Sequence, residues 1–242
     1  MYIKIISALL CITLLTFTIT GCIVVINGES VQGSGNIITQ EREVAEFSKV
    51  YLRGSGKVFL TPGETQSLEI KTDDNIMPLI ETEVRGKKLT ISHGNNRLRP
   101  TFFEVYITVQ KLEGVGISGS GDIVGNDRFV TDMLYVEISG SGDMDLEVKT
   151  GLLENKISGS GSLQLSGTAE EYTISVSGSG KMNAYGVDAR HVSVQVSGSG
   201  SCRISASESL DARISGSGDV YYRGQPKIDA RISGSGSLKS RD

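Results

Sequence analysis

The chain has no tryptophan, four prolines, two histidines and three cysteines among its 242 residues. Scarce proline and absent tryptophan, set beside thirty glycines, argue against long helices and for many short β segments joined by tight turns. Basic residues are not in excess: 24 lysines and arginines stand against 28 aspartates and glutamates, so there is no electrostatic footprint for nucleic acid. His93 and His191 lie about a hundred residues apart with no companions at metal-ligand spacing, and read as surface residues. The cysteines are too few for a disulfide framework, so hydrogen-bonded stacking must hold the fold.

What the chain has in abundance is one motif. Ser-Gly-Ser-Gly or Gly-Ser-Gly begins its glycines at Gly33, Gly54, Gly119, Gly140, Gly159, Gly178, Gly198, Gly216 and Gly234, and the last seven are 18 to 21 residues apart. Such a period marks a stacked repeat. Counted from the first glycine, positions two before it are Ile117, Ile138, Ile157, Val176, Val196, Ile214 and Ile232. Positions four after it are Ile123, Met144, Leu163, Met182, Cys202, Val220 and Leu238, and the odd positions between are mostly polar. A period of two sustained across the motif means β-structure with one buried face.

The expected fold is all-β: a right-handed parallel β-helix whose coils are bent strands of about 13 residues with short return turns. The glycine pairs (Gly119 and Gly121, Gly140 and Gly142, Gly159 and Gly161, Gly178 and Gly180, Gly198 and Gly200, Gly216 and Gly218, Gly234 and Gly236) fall on the inward parity. They read as structural turn residues at the inside of a corner with no room for a Cβ, and the serines beside them point outward. Cys202 falls in the inward column between Met182 and Val220, as an inert core thiol.

Three sections are expected. Residues 1 to 21 form a signal: Lys4 precedes an apolar run from Ile5 to Ile19, which ends in Ile19-Thr20-Gly21-Cys22. That ending resembles the bacterial lipobox, which implies cleavage before Cys22 and lipidation of its thiol; Ile23 after it implies the outer membrane by the enterobacterial sorting rule. Residues 22 to 110 form a β section with two motif coils and a hairpin around Arg85-Gly86. From Gly56 to Gly119 the motif is missing, a gap long enough for about three coils. Residues 111 to 242 form a β-helix of seven coils.

Candidates for chemistry are thin. Asp122, Asp143 and Asp145 share an outward face of adjacent coils and make a weak Ca²⁺ candidate, with solvated acids as the simpler reading. Asp211, Arg213, Asp229 and Arg231 are expected to form an outward ion-pair lattice. The serines recur at every rung without a repeating His or Asp, so hydroxyl ladders explain them better than nucleophiles do. No residue pattern calls for a cofactor.

The order Phe47-Ser48-Lys49-Val50, Gly54-Ser55-Gly56-Lys57-Val58, Leu89-Thr90-Ile91, serial Ser-Gly-Ser-Gly-Asp and Tyr221-Tyr222-Arg223-Gly224-Gln225-Pro226, behind a lipoprotein signal, resembles the bacterial family described as putative auto-transporter adhesin, head GIN domain. The resemblance implies a β-helical, envelope-attached protein and carries no catalytic residues. The function expected is a non-catalytic adhesion, scaffolding or ligand-binding surface, held to the membrane by lipid, with envelope polysaccharide or protein as partner. A monomer or small oligomer is expected, since charges on the last coil discourage open-ended strand pairing. The alternative is a polysaccharide-active β-helix enzyme with a carboxylate and Ca²⁺ site. The short return turns, such as Ala206-Ser207-Glu208-Ser209, count against the cleft such an enzyme needs.

Overall fold

The computed structural model describes residues 30–94 and 96–241; Cys22 and the apolar run before it lie outside the described residues. In chain order the strands are β1 (Ser30–Gln32), β2 (Ile37–Glu41), β3 (Lys49–Gly54), β4 (Lys57–Pro62) and β5 (Ser67–Asp73), then a 3₁₀ turn (Met77–Leu79). Next come β6 (Glu81–Arg85), β7 (Lys88–Ser92), β8 (Arg97–Arg99), β9 (Phe103–Val109), β10 (Gly114–Gly119), β11 (Asp122–Gly125) and β12 (Phe129–Gly140). The last are β13 (Asp143–Gly159), β14 (Ser162–Gly178), β15 (Lys181–Gly198), β16 (Ser201–Gly216), β17 (Asp219–Arg223), β18 (Lys227–Gly234) and β19 (Ser237–Ser240). Seventeen of them form one sheet that winds as a parallel β-solenoid of about seven turns.

Register follows the repeat. Gly140 pairs with Gly159, Gly159 with Gly178, and Gly178 with Gly198, so equivalent residues stack from coil to coil. Every coil therefore adds its apolar parity to the same columns, and one buried cluster extends from Phe47 to Val220. One column holds a polar break. Asn155 sits between Val136 and Ile174, where its Nδ2 donates to the hydroxyl of buried Tyr172, whose own proton points at Met182 Sδ, 3.9 Å away. Burial, with the Cys202 thiol nearby, holds the Tyr172 phenol well above its ordinary range. Cys202 itself is fully buried, and burial pushes its thiol up to about 12, so it is unreactive at neutral pH.

The corner separates the two glycines in a way that parity alone does not show. The second glycine of each pair faces inward: a Cβ on Gly180 would meet Ile157 Cγ2 at 2.5 Å. The first glycine does not. It has positive φ, +104° at Gly178, and its missing Cβ would point along the stack at the carbonyl oxygen of Gly159, 2.7 Å away. That carbonyl already accepts the Ser179 N–H at 2.9 Å, and the Gly161 carbonyl accepts the Lys181 N–H at 3.0 Å, so the ladder runs unbroken around the bend. Both glycines are required, one by the core and the other by the neighbouring backbone.

The N-terminal section shares the same core, so residue 110 marks a change of threading rather than a gap in packing. Strands β3 and β4 stack in register under β10 and β11, with Gly54 on Gly119 and Lys57 on Asp122. On their other side lie β7 and β9, also parallel. The rung of residues 49–62 is thus inserted between two rungs that follow it in sequence. Beyond β7 and β9 the direction reverses: β5 runs antiparallel to β9, and β6 antiparallel to β7 through a two-residue turn with Gly86 and Lys87 at φ of 55° and 64°. The segment without motifs therefore holds one parallel and one antiparallel rung, not three coils.

The Gly33 copy of the motif is not a coil of the stack. Its β1 pairs with β8 in a separate two-stranded sheet, and the loop after it wraps the Asp73 carboxylate. Asp73 is fully buried and accepts hydrogen bonds from Gly35 N–H at 2.7 Å, Thr101 N–H at 2.8 Å and Thr101 Oγ1–H at 2.7 Å. Arg42 fastens the other side, donating to the carbonyls of Ile80 at 2.6 Å and Met77 at 3.0 Å.

Candidate functional site

One outward face carries a ladder of polar side chains across the rungs. The third residue after each first glycine gives Lys57, Asp122, Asp143, Ser162 and Lys181. Two residues further along lie Asp145, Gln164, Asn183 and Arg203, stacked in that order. Between these columns runs an open groove of about 380 Å³, lined from Lys57 at one end to Arg203 at the other. Period-two alternation puts these side chains outside, and parallel register lines them up at rungs roughly 4.8 Å apart.

The ends of this face are aromatic. Phe59 stacks on Tyr106 with ring centroids 5.0 Å apart, and Lys57 Nζ lies 5.0 Å from the Phe59 centroid. At the other end Tyr221 is surrounded by Arg203 at 5.9 Å, Lys239 at 5.8 Å and Arg241 at 5.0 Å. The hydroxyl of Ser237 donates to Asp219, and this bond, assisted by Lys239 against the opposing effect of burial, holds the Asp219 carboxyl below its usual value. The face can thus offer hydrogen-bond donors and acceptors between two flat rings. The column that holds Asp145, Gln164, Asn183 and Arg203 continues through Tyr221 to Lys239, so the repeat itself flanks Tyr221 with two cations; only Arg241 comes from outside it.

The acidic trio does not gather into a metal site. Asp122 and Asp143 are register partners, yet Asp143 Oδ1 accepts the Ser162 N–H at 3.2 Å and Asp145 Oδ2 accepts Gln164 Nε2 at 3.4 Å. No group of three His, Cys, Asp or Glu side chains able to hold a metal ion occurs among the described residues. Asp143 and Asp145 stand roughly 6.6 Å apart along the same strand face, and each is held by a donor of the next rung instead of converging on a shared point. The two histidines are also apart in the fold. His93 covers the corner at Gly54, and His191 lies on the return side of β15. Among the described residues the expected lattice on the last coils reduces to a single ion pair, Arg213 to Asp211 at 3.2 Å, because parallel register stacks Asp211 on Asp229 and Arg213 on Arg231.

The nearest approach to a catalytic arrangement is His191 Nδ1 at 2.9 Å from Ser209 Oγ, with Glu208 3.6 Å from His191 Nε2. Glu208 is already held by Arg190 at 2.6 Å, and that guanidinium also engages Glu170. Glu208 is thus committed to Arg190 rather than to orienting the imidazole, and the group sits on a solvent-exposed face with no enclosed cleft.

The family model described as "Putative auto-transporter adhesin, head GIN domain" matches residues 46–226. A putative adhesin from Bacteroides fragilis NCTC 9343 superimposes with a TM-score of 0.81 at 28% identity, covering 87% of this chain and all of that one. A putative lipid binding protein from Parabacteroides distasonis ATCC 8503 gives 0.76 at 25% identity over 88% of this chain and all of its own. A putative adhesin from Parabacteroides merdae ATCC 43184 gives 0.69 at 25% identity over 89% of this chain and all of its own. A search of curated proteins finds no match.

Proposed function

The chain belongs to the head GIN domain family of putative auto-transporter adhesins, and from that premise we propose that it is a non-catalytic adhesion module of the bacterial cell envelope, binding an extended polar polymer along its ladder face. The observation that carries this reading is the groove from Lys57 to Arg203, in which amide and carboxylate side chains repeat at the rung spacing between two aromatic ends. A polymer of regular polar units meets the same chemistry at each step along such a face. Aromatic rings at either end supply flat apolar contact that sugar rings match. The names given to the family and to its structural neighbours are those of adhesion and lipid binding, which agrees with a surface that binds and releases without chemistry.

The test is retention on a panel of immobilised acidic and neutral polysaccharides. Gln164→Ala combined with Asn183→Ala should weaken binding about 5- to 10-fold for each hydrogen bond lost, at roughly 1 kcal/mol apiece, and leave thermal unfolding unchanged. Unaltered retention would remove the groove from the reading. Cleavage of a polysaccharide, abolished by Asp122→Asn with Asp143→Asn, would replace the reading by the enzyme.

The anchor in this proposal is the Cys22 thiol. Its motivation is the apolar run that ends in Ile19-Thr20-Gly21-Cys22. Protein extracted from membranes should have the mass of residues 22 to 242 plus lipid, and Cys22→Ser should appear in the soluble fraction. An unlipidated wild type of full mass would rule the anchor out. Among the described residues no helix is long and apolar enough to cross a membrane.

A further inference from the structure

The last rung presents a bare edge. Strand β18 pairs with β16 on one side and with no other strand among the described residues. It continues the core columns, yet Ile228 and Ile232 are 42% and 46% exposed, whereas Leu210 and Ile214 directly beneath them are buried. A rung built to the core pattern but covered on one side only is a surface prepared for another strand.

From this edge we infer that two copies of the chain join tail to tail, their β18 strands pairing antiparallel about a two-fold axis through Ala230. The sequence Ile228-Asp229-Ala230-Arg231-Ile232 is self-complementary under that operation. Ile228 falls opposite Ile232 of the second copy, Ala230 opposite itself, and Asp229 opposite Arg231. The axis stands perpendicular to the sheet, so inward residues meet inward residues and the two cores become continuous. Within one copy the parallel register does the reverse, setting Asp229 beside Asp211 and Arg231 beside Arg213. Directly across the register Asp229 and Arg231 meet like charges on the side already occupied and would meet opposite charges across an antiparallel partner. Opposite charges facing each other across strands stabilise the pairing, and like charges oppose it.

Among the described residues the other end of the solenoid offers no equal edge. Strands β2 and β6 are five residues long, and Arg85 of β6 is already paired with Glu83 at 2.6 Å. Pairing is therefore isologous and closes at two copies rather than extending head to tail.

The experiment uses the full chain carrying two different tags, co-expressed, extracted in mild detergent and captured through one tag. Wild type should retain its differently tagged copy. Asp229→Arg or Arg231→Asp, each alone, sets like charges across both sides of the axis and should reduce capture about tenfold or more. Each also removes a like-charge contact inside its own copy, so a loss of capture is not explained by a weakened fold; unchanged thermal unfolding checks this. Co-expressing the Asp229→Arg chain with the Arg231→Asp chain restores both cross-strand pairs and should restore capture between them, as should the double swap with itself. Wild type that captures no second copy, single variants that capture as wild type does, a mixture that fails to recover, or filaments in electron micrographs would each overturn the inference.

Discussion

A Gly178→Val chain should unfold in much less denaturant than wild type, with a loss of about 2 to 6 kcal/mol. Two effects add. A β-branched residue held at φ of +104° is strained by roughly 1 to 3 kcal/mol, and its Cβ would stand 2.7 Å from a carbonyl oxygen that cannot retreat without breaking the ladder bond from Ser179. Gly180→Val should cost less, about 1 to 3 kcal/mol, because its Cβ meets Ile157 Cγ2 at 2.5 Å and the Gly161 carbonyl at 3.2 Å without the added strain of a positive φ. Ser179→Ala, on an exposed side chain between them, should stay within roughly 0.5 kcal/mol. Urea unfolding of the three variants measures the order directly. Equal small losses would mean that the corner is looser than its geometry indicates.

The second large effect is expected at Asp73, and it should be local. Asp73→Ala leaves the N–H of Gly35 and the N–H and hydroxyl of Thr101 without their acceptor at a partly buried site that water reaches, a loss of about 1 to 3 kcal/mol. These bonds join residues 33–36, β5 and the segment before β9, so hydrogen exchange should accelerate across the antiparallel head and leave β13 to β16 protected. Acid should act in the same way. Burial pushes the Asp73 carboxyl up, but the hydrogen bonds from Thr101, Gly35 and Phe102 outweigh it and hold the group below its ordinary value. A carboxyl depressed in the folded state contributes its full stability above the unfolded value of about 4 and loses it as pH falls through the folded value. Protection of the head should therefore fail below about pH 4, before the coils do. Uniform loss across the chain would show that the head and the coils unfold as one unit.

The coils were open to reading from sequence because each repeats the same alternation. Ile117, Ile138 and Ile157 need no structure to be placed in one column. The family, too, follows from that pattern. The first glycine of each corner was not legible in the same way, since parity cannot distinguish a residue that faces the core from one that faces along the stack. The rung of β7 and β9 escaped because it lacks the motif: His93 and Phe103 fill the space beside Gly54 and Gly56, and the chain leaves the corner there as a loop. Asp73 lies in the polar run Thr72-Asp73-Asp74-Asn75, and its sequence context does not show that groups of Gly35, Thr101 and Phe102 donate to it. For the ladder face the two columns could be traced in advance, and with them Arg203 and Lys239 on either side of Tyr221. Arg241 could not, because it lies past the last strand, outside the repeat.

The inserted rung of β3 and β4 determines the order in which this molecule can be assembled. A chain that emerges N-terminus first exposes that rung with both edges bare, and neither neighbour exists until residues 88–125 have followed. Closing that three-rung nucleus requires contacts distant in sequence, the slow kind of folding step. Every later coil adds to a finished template through contacts only about twenty residues away. Initiation therefore belongs to the head, whereas the number of later coils can change by whole repeats without disturbing it, so the length of this solenoid is free to drift while its beginning is not.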